Sequence, residues 1–136
     1  MDVKNATVFI TGASRGLGLA FAREAVRRGA AKVYAGMRNI DGFKEPGIVP
    51  VKIDVTDKAS IAAAAKIAAD TTLLINNAGI AALIEGPLAG PDDVVRQTYD
   101  ALAAGKNEVM ADKGTAVLKS TLAAEVPGYI EPPEGV

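Results

Sequence analysis

Three glycines stand at a spacing that suits the binding of an anion. Gly12, Gly16 and Gly18 lie between a short apolar run and a stretch with helical periodicity. Gly12 permits a tight turn, Gly16 lets a phosphate approach the backbone without a Cβ in the way, and Gly18 allows close packing of a helix. Ser14 and Arg15 add a hydroxyl and a positive charge. The loop is either a phosphate-binding turn at a helix amino end or simply a tight turn.

Two further polar segments follow apolar runs that predict strands. Asp54 and Val55 end the third such run, and Asn76-Asn77-Ala78-Gly79 ends the fourth. In an open parallel sheet, ligands bind beyond the carboxyl ends of the strands. We therefore expect the glycine loop and these two segments to lie together at one edge of a sheet.

The elements that must position these segments alternate between strands and helices. Short apolar runs predict strands and amphipathic runs predict helices. Strands are predicted over 6–10, 32–36, 49–54 and 72–76, and helices over 16–28, 59–69, 91–105 and 112–124. This alternation is typical of an α/β protein with a Rossmann-like, doubly wound parallel sheet. We predict about four strands in the order 3-2-1-4, within three α/β/α layers.

Composition and charge narrow the classes of function. The 136 residues suit one domain, over 1–125, with a Pro-rich tail over 126–136. A net charge of −1 argues against a nucleic-acid partner. The absence of His and Cys excludes a Ser-His-Asp triad, a Cys nucleophile and a disulfide, and we predict no metal site. With no signal peptide or membrane-spanning run visible, we expect a cytoplasmic protein with no membrane partner.

The three polar segments together resemble the short-chain dehydrogenase/reductase family. The matching residues, in order and spacing, are Thr11-Gly12-Ala13-Ser14-Arg15-Gly16-Leu17-Gly18, Asp54-Val55 and Asn76-Asn77-Ala78-Gly79. The resemblance implies that the pyrophosphate and adenosine ribose of a dinucleotide are wrapped by Gly12, Ser14, Arg15, Gly16, Leu17 and Gly18. It also implies that Asp54 and Val55 hold the adenine, with Asp54 accepting from its amino group. The nucleoside side is then lined by Asn77, Ala78 and Gly79, and the Asn-Asn pair ties strand four to its neighbour.

The residues after the second strand favour NADP over NAD. An acidic side chain there would accept from a ribose 2′-hydroxyl and repel a 2′-phosphate, but none appears before Asp41. Arg38 and Arg15 can instead bind a 2′-phosphate with charge-assisted hydrogen bonds. We therefore predict NADP(H) as the cofactor; a solvated surface charge is the simpler interpretation of Arg38.

The catalytic pattern that the resemblance implies is absent. It consists of a Ser and of a Tyr four residues before a Lys, in which the Tyr donates a proton and the Lys lowers its pKa. Four residues after Tyr34, Tyr99 and Tyr129 stand Arg38, Ala103 and Pro133. We therefore assign no catalytic residue. We interpret the chain as an internally deleted relative in which residues 91–122 resemble the C-terminal region of such enzymes.

Three functions remain open on the sequence alone. The leading one is an NADP(H)-binding Rossmann domain without oxidoreductase turnover. The second is an active NADP-dependent carbonyl reductase or alcohol dehydrogenase, completed by another subunit or by an acid such as Tyr99. The third is a structural or interaction module whose glycine loop binds nothing. We also predict a homo-oligomer, because strand four is apolar and has no outer neighbour; the alternative is that the helices after Pro91 fold back and cover the exposed faces.

Overall fold

The computed structural model describes residues 1–79 and 90–106, which contain four strands and three helices. In chain order these are β1 (Thr7–Thr11), α1 (Gly16–Arg27), β2 (Lys32–Met37), β3 (Ile48–Lys52), α2 (Lys58–Ile67), β4 (Leu73–Ile75) and α3 (Pro91–Ala103). The predicted helix over 112–124, the tail over 126–136 and the domain boundary at 125 lie outside the described residues. Among the described helices, none combines the length and the hydropathy that a membrane span requires.

The four strands form one parallel sheet in the order β3-β2-β1-β4. Phe9 in β1 stands opposite Tyr34 in β2 and opposite Leu74 in β4. The predicted strand order is therefore confirmed, and the predicted strand ends differ from the observed ones by at most two residues.

Helices lie on both faces of the sheet, as the predicted three layers require. Residues of β1 alternate, so that Val8 and Ile10 belong to the core cluster beneath α1 and α3, whereas Phe9 belongs to the cluster beneath α2. The first cluster includes Phe21 of α1 with Val95 and Tyr99 of α3. The second cluster is smaller and consists of Phe9, Tyr34, Val51, Ile53, Ala64 and Ala68.

In α1 and α2, some large apolar residues are less buried than their helical periodicity indicates. In α1, Phe21 and Ala25 are buried, but Leu17 is 36% exposed because it lies in the first turn, beside the glycine loop. The large apolar residues of α2, Ile61 and Ile67, are 41% and 61% exposed. Only Ala64 of α2 is fully buried, so this helix contacts the sheet through a small side chain.

Candidate functional site

The predicted binding residues all follow the carboxyl end of a strand. The glycine loop comes after β1, Arg38 after β2, Asp54 and Val55 after β3, and residues 76–79 after β4. Because all four strands are parallel, these segments lie at one edge of the sheet, which we call the carboxyl edge. A backbone hydrogen bond of 2.9 Å from Ile53 to Met37 joins two of these strand ends directly.

The glycine loop is open at Gly16 and tightly packed at Gly18. Gly16 has a φ of +58°, which favours glycine, and beyond its chain neighbours and its own helix backbone no atom lies within 4 Å of the position of a Cβ there. At Gly18, a Cβ would stand 2.2 Å from the carbonyl oxygen of Gly12 and 2.6 Å from Nδ2 of Asn77. The backbone at Gly16 is thus accessible to a ligand, whereas Gly18 allows the first turn of α1 to pack against the preceding loop.

No side chain in the described ranges 1–79 and 90–106 caps the amino end of α1. Arg15 occupies the N-cap position in an extended conformation, and its side chain forms no cap hydrogen bond. By contrast, Asp57 caps α2 by accepting a 3.0 Å hydrogen bond from the backbone N–H of Ala59. Ser14 and Leu17 are exposed beside the uncapped end. The positive end of the α1 dipole is therefore available to an anion from solvent.

The end of β4 is joined to the glycine loop by Asn77. Its side-chain Nδ2 donates to the carbonyl oxygens of Thr11 at 3.1 Å and Gly12 at 3.2 Å. The backbone N–H groups of Asn77 and Ala78 both donate to the Thr11 hydroxyl, each at 3.0 Å. Asn77 therefore ties strand four to its neighbour, and the two loops form one hydrogen-bonded unit.

Thr11 is the residue of this unit that was absent from the predicted site. It is a buried polar residue at the last position of β1. A buried hydroxyl requires hydrogen-bond partners, so a Thr at the end of a predicted buried strand is the sequence signal that could have indicated this role. Its partners come from a segment 66 residues later in the chain, so the sequence alone did not reveal the pairing.

Asp54 is held by residues of the loop and helix that follow it. Its Oδ1 accepts from the backbone N–H of Thr56 at 2.9 Å and from the Thr56 hydroxyl at 2.7 Å. Its own N–H donates to the Ser60 hydroxyl in α2 at 2.8 Å. The hydrogen bonds from Thr56, and to a smaller extent the positive charge of Arg38, lower the pKa of Asp54 below its usual value. The carboxyl is therefore ionised and accepts hydrogen bonds only.

The arginines divide into a paired set and an unpaired set. Those of the paired set form ion pairs with carboxylates: Arg23 with Glu45, Arg27 with Glu24, Arg28 with Glu24 and Asp100, and Arg96 with Asp93. Arg15 and Arg38, at the carboxyl edge, form no ion pair with any residue in 1–79 or 90–106. Two positive charges at this edge therefore form no ion pair within the described residues, although Arg38 is close enough to Asp54 to lower the pKa of its carboxyl.

Tyr99 lies away from the carboxyl edge, between α1 and α3. It is 2% exposed, its hydroxyl donates to the carbonyl oxygen of Phe21 at 3.0 Å, and its ring meets that of Phe21 edge-on. Burial raises the pKa of Tyr99 well above its usual value. This placement argues against Tyr99 as the acid that completes a catalytic site.

An apolar groove runs between α2 and β4 and reaches the carboxyl edge. It has a volume of about 460 Å³, and we call it the α2–β4 groove. Its lining includes Phe9, Ile53, Val55, Ile61, Leu74 and Asn76. Leu74 is 55% exposed there, so this side of the sheet presents apolar surface to solvent within the described part of the chain.

The parallel sheet and the strand–glycine loop–helix turn define a protein of the Rossmann-like class. The sequence model of the family described as short chain dehydrogenase matches residues 6–110. Because this match covers more than half of the chain, the chain belongs to the short chain dehydrogenase family.

Related proteins agree with this assignment. The chain is 36% identical over 94 residues to the short chain dehydrogenase tazN of Aspergillus terreus, covering 59% of this chain and 21% of that protein. A short chain dehydrogenase from Burkholderia cenocepacia in complex with NADP shares 45% identity with a TM-score of 0.56, covering 59% of this chain and 35% of the other.

A further solved structure carries a different cofactor. The 3-ketoacyl-(acyl-carrier-protein) reductase from Brucella melitensis, complexed with NADH, shares 28% identity with a TM-score of 0.53. The match covers 58% of this chain and 36% of that one. The chain thus spans about a fifth to a third of the length of these three relatives.

Proposed function

We propose that this chain binds a nicotinamide adenine dinucleotide at the carboxyl edge and prefers NADP(H) to NAD(H). The residues proposed to contact it are Gly12, Ser14, Arg15, Gly16, Leu17, Gly18, Arg38, Asp54, Val55, Asn77, Ala78 and Gly79. The observation that carries the proposal is the pair of arginines, Arg15 and Arg38, that form no ion pair among the described residues.

The residues present fit the phosphates of such a cofactor. The uncapped end of α1 and the open backbone at Gly16 supply N–H groups and a positive dipole end for a pyrophosphate. Arg15 and Arg38 supply the charge that a 2′-phosphate requires. The related Burkholderia protein has been solved with NADP and the Brucella protein with NADH, so relatives alone leave the choice open. The two arginines are the reason to propose NADP(H).

Calorimetric titrations of the chain with NADPH and with NADH test this preference. We expect tighter binding of NADPH, and we expect Arg38→Glu to abolish or reverse the preference because a carboxylate repels the 2′-phosphate. Lys66→Glu is the matched control, since it makes the same change of charge at an exposed lysine in the last turn of α2. Equal affinities of the wild-type chain for the two cofactors would count against the roles of both arginines. No binding of either would favour an interaction module.

We further propose that the chain alone does not reduce carbonyls. No Tyr in the sequence precedes a Lys by four residues, and Tyr99 is buried between two helices. The loss of a general acid lowers a rate by about 100-fold to 10,000-fold. An NADPH-oxidation assay with simple carbonyl substrates tests this. Turnover that survives repurification and disappears in Tyr99→Phe would contradict the proposal.

Self-association through the outer edge of β4 is a separate proposal. Within the described residues β4 pairs only with β1, and the neighbouring α2–β4 groove is apolar. An unpaired strand beside apolar surface favours pairing with a second copy about a two-fold axis. We expect a dimer by light scattering, which Leu74→Lys weakens. Ile67→Lys, at an exposed isoleucine outside the groove lining, is the control. A folded wild-type chain that stays monomeric at high concentration would contradict this proposal.

A cytoplasmic location also remains a proposal. It rests on the absence of Cys from the sequence, which agrees with a reducing compartment. Fractionation of cells that express the tagged chain tests it, and recovery in an extracellular fraction would contradict it.

A further inference from the structure

The acceptor oxygens of Asp54 have unequal environments. Oδ1 receives two hydrogen bonds from Thr56, one from the backbone N–H at 2.9 Å and one from the hydroxyl at 2.7 Å. Oδ2 accepts no hydrogen bond within 1–79 or 90–106. Two donors on one oxygen restrict the rotation of the carboxylate about its last torsion, which is otherwise broad. Oδ2 is therefore the oxygen that remains available to a ligand.

The main chain of Asp54 is held as well. Its N–H donates to the Ser60 hydroxyl at 2.8 Å, and Ser60 lies in the first turns of α2. Asp57 caps the same helix, so the segment from 54 to 57 is tied to α2 at two points. The main chain of Asp54 is therefore fixed in position, and the hydrogen bonds from Thr56 set the orientation of its carboxylate.

We propose that Thr56 is a positioning residue that sets the preference of this site for adenine over bases without a 6-amino group. The inference rests on the proposed function, in which Asp54 accepts from the adenine amino group. A carboxylate oxygen can accept a hydrogen bond from the 6-amino group of adenine but opposes the 6-oxo group of hypoxanthine. Thr56 does not touch the base in this proposal; its hydroxyl holds Oδ1, which leaves Oδ2 for the base.

The experiment compares adenosine 2′,5′-bisphosphate with inosine 2′,5′-bisphosphate, which differ at the 6-position of the purine. We expect the wild-type chain to bind the adenosine compound about 10-fold to 100-fold more tightly, as for a hydrogen bond to a charged group. In Thr56→Val the hydroxyl is replaced by a methyl of similar size while the backbone hydrogen bond remains. We expect the ratio of the two affinities to fall by about threefold to tenfold.

Two controls separate positioning from a general loss of structure. Thr56→Ser keeps the hydroxyl, so we expect it to retain the wild-type ratio. Thr71→Val makes the same substitution at a threonine whose hydroxyl donates to the carbonyl of Ala68 at 2.7 Å, in the loop before β4. We expect it to leave the ratio unchanged. Thr56→Ala replaces Thr56→Val if the latter does not fold.

The titration of Asp54 provides a second readout, by carbon-13 NMR of its carboxyl. The Thr56 hydroxyl is the largest cause that lowers the pKa of Asp54, so we expect that pKa to rise in Thr56→Val and to stay low in Thr56→Ser. If Thr56→Val binds the adenosine compound normally and the affinity ratio is unchanged, the positioning role of Thr56 is overturned, but the proposed function is not. No binding of the adenosine compound by the wild-type chain would overturn the proposed function and this inference together.

Discussion

The two faces of the sheet are built from different side chains and are buried by their helices to different extents. On one face, α1 and α3 enclose large residues, with Phe21, Val95 and Tyr99 all buried in a single cluster. On the other face, α2 and its C-cap residue contribute Ala64 and Ala68 to a smaller cluster, while Ile61 remains partly exposed. The first face is a closed core within the described residues, and the second is an open one.

The contrast follows from how the helices meet. Tyr99 joins α3 to α1 by its ring contact and by a hydrogen bond to the carbonyl of Phe21. Arg28 joins the same helices through ion pairs to Glu24 and Asp100, and it lies over the Tyr99 ring at 5.5 Å. No second helix among the described residues packs beside α2. The closed face is therefore expected to supply most of the folding stability, and the open face to be the surface that associates.

The largest effect is expected at Tyr99, in the centre of the closed face. Tyr99→Ala should lower the free energy of unfolding by about 3–5 kcal/mol, because it removes a buried aromatic side chain and leaves a cavity. Urea denaturation followed by circular dichroism measures the change. Tyr99→Phe keeps the ring and removes only the hydroxyl, so it should cost about 1 kcal/mol. A loss of less than 1 kcal/mol in Tyr99→Ala would mean that α3 contributes little to the fold.

The next largest effect on stability is expected at Glu24 of α1, which forms ion pairs with Arg27 and Arg28 at the carboxyl end of the same helix. Hydrogen bonds from Arg27 first, and then from Arg28, lower the pKa of Glu24 from 4.5 to about 2. Because the folded-state pKa lies below the unfolded value, this stabilisation is present above about pH 4.5 and is lost as the pH falls toward 2. After allowance for solvent screening, we expect it to amount to about 1–2 kcal/mol.

Glu24→Gln tests this effect through melting temperatures measured from pH 7 to pH 2. The variant should be less stable than the wild-type chain at neutral pH and should lose less stability on acidification. Glu45→Gln is the control, because Glu45 pairs with a largely exposed Arg23 and should give a smaller difference. Parallel pH profiles for Glu24→Gln and the wild-type chain would contradict the assignment.

The fold could be predicted largely from the sequence, since its signals are local. Alternating apolar runs predict the strands and helices, and the right-handed crossover of parallel strands yields the observed order. Exposure could not be predicted in the same way. Leu17 and Ile61 have the same periodicity as buried residues, but burial depends on which other element packs against them, and that is a tertiary property.

The candidate site could be predicted only as far as its glycines and polar segments. These residues are recognised by type and spacing, and the parallel sheet brings them to one edge as expected. Thr11 was recognised only as part of the motif, and neither it nor Thr56 was given a role in the site, because that role depends on what their hydroxyls contact. The Thr11 hydroxyl accepts from a distant segment, and the Thr56 hydroxyl donates to Asp54 across a short turn. The binding roles of the predicted residues remain predictions that the titrations above test.

The smallest effect is expected on the open face, and its dependence on protein concentration makes it informative. Ile61 is 41% exposed and lines the α2–β4 groove, so Ile61→Ala should cost no more than about 1 kcal/mol in a dilute, separate chain. A second copy that covers the groove would bury Ile61 further, and its contribution would then rise with concentration by mass action. Melting temperatures of Ile61→Ala and wild type at low and high protein concentration measure this change. Ile67→Ala, at 61% exposure and outside the groove lining, should show no such dependence. If Ile61→Ala lowers the melting temperature equally at both concentrations, no second copy covers the open face. The open face then contributes little to stability at any protein concentration, and the closed face supplies most of it.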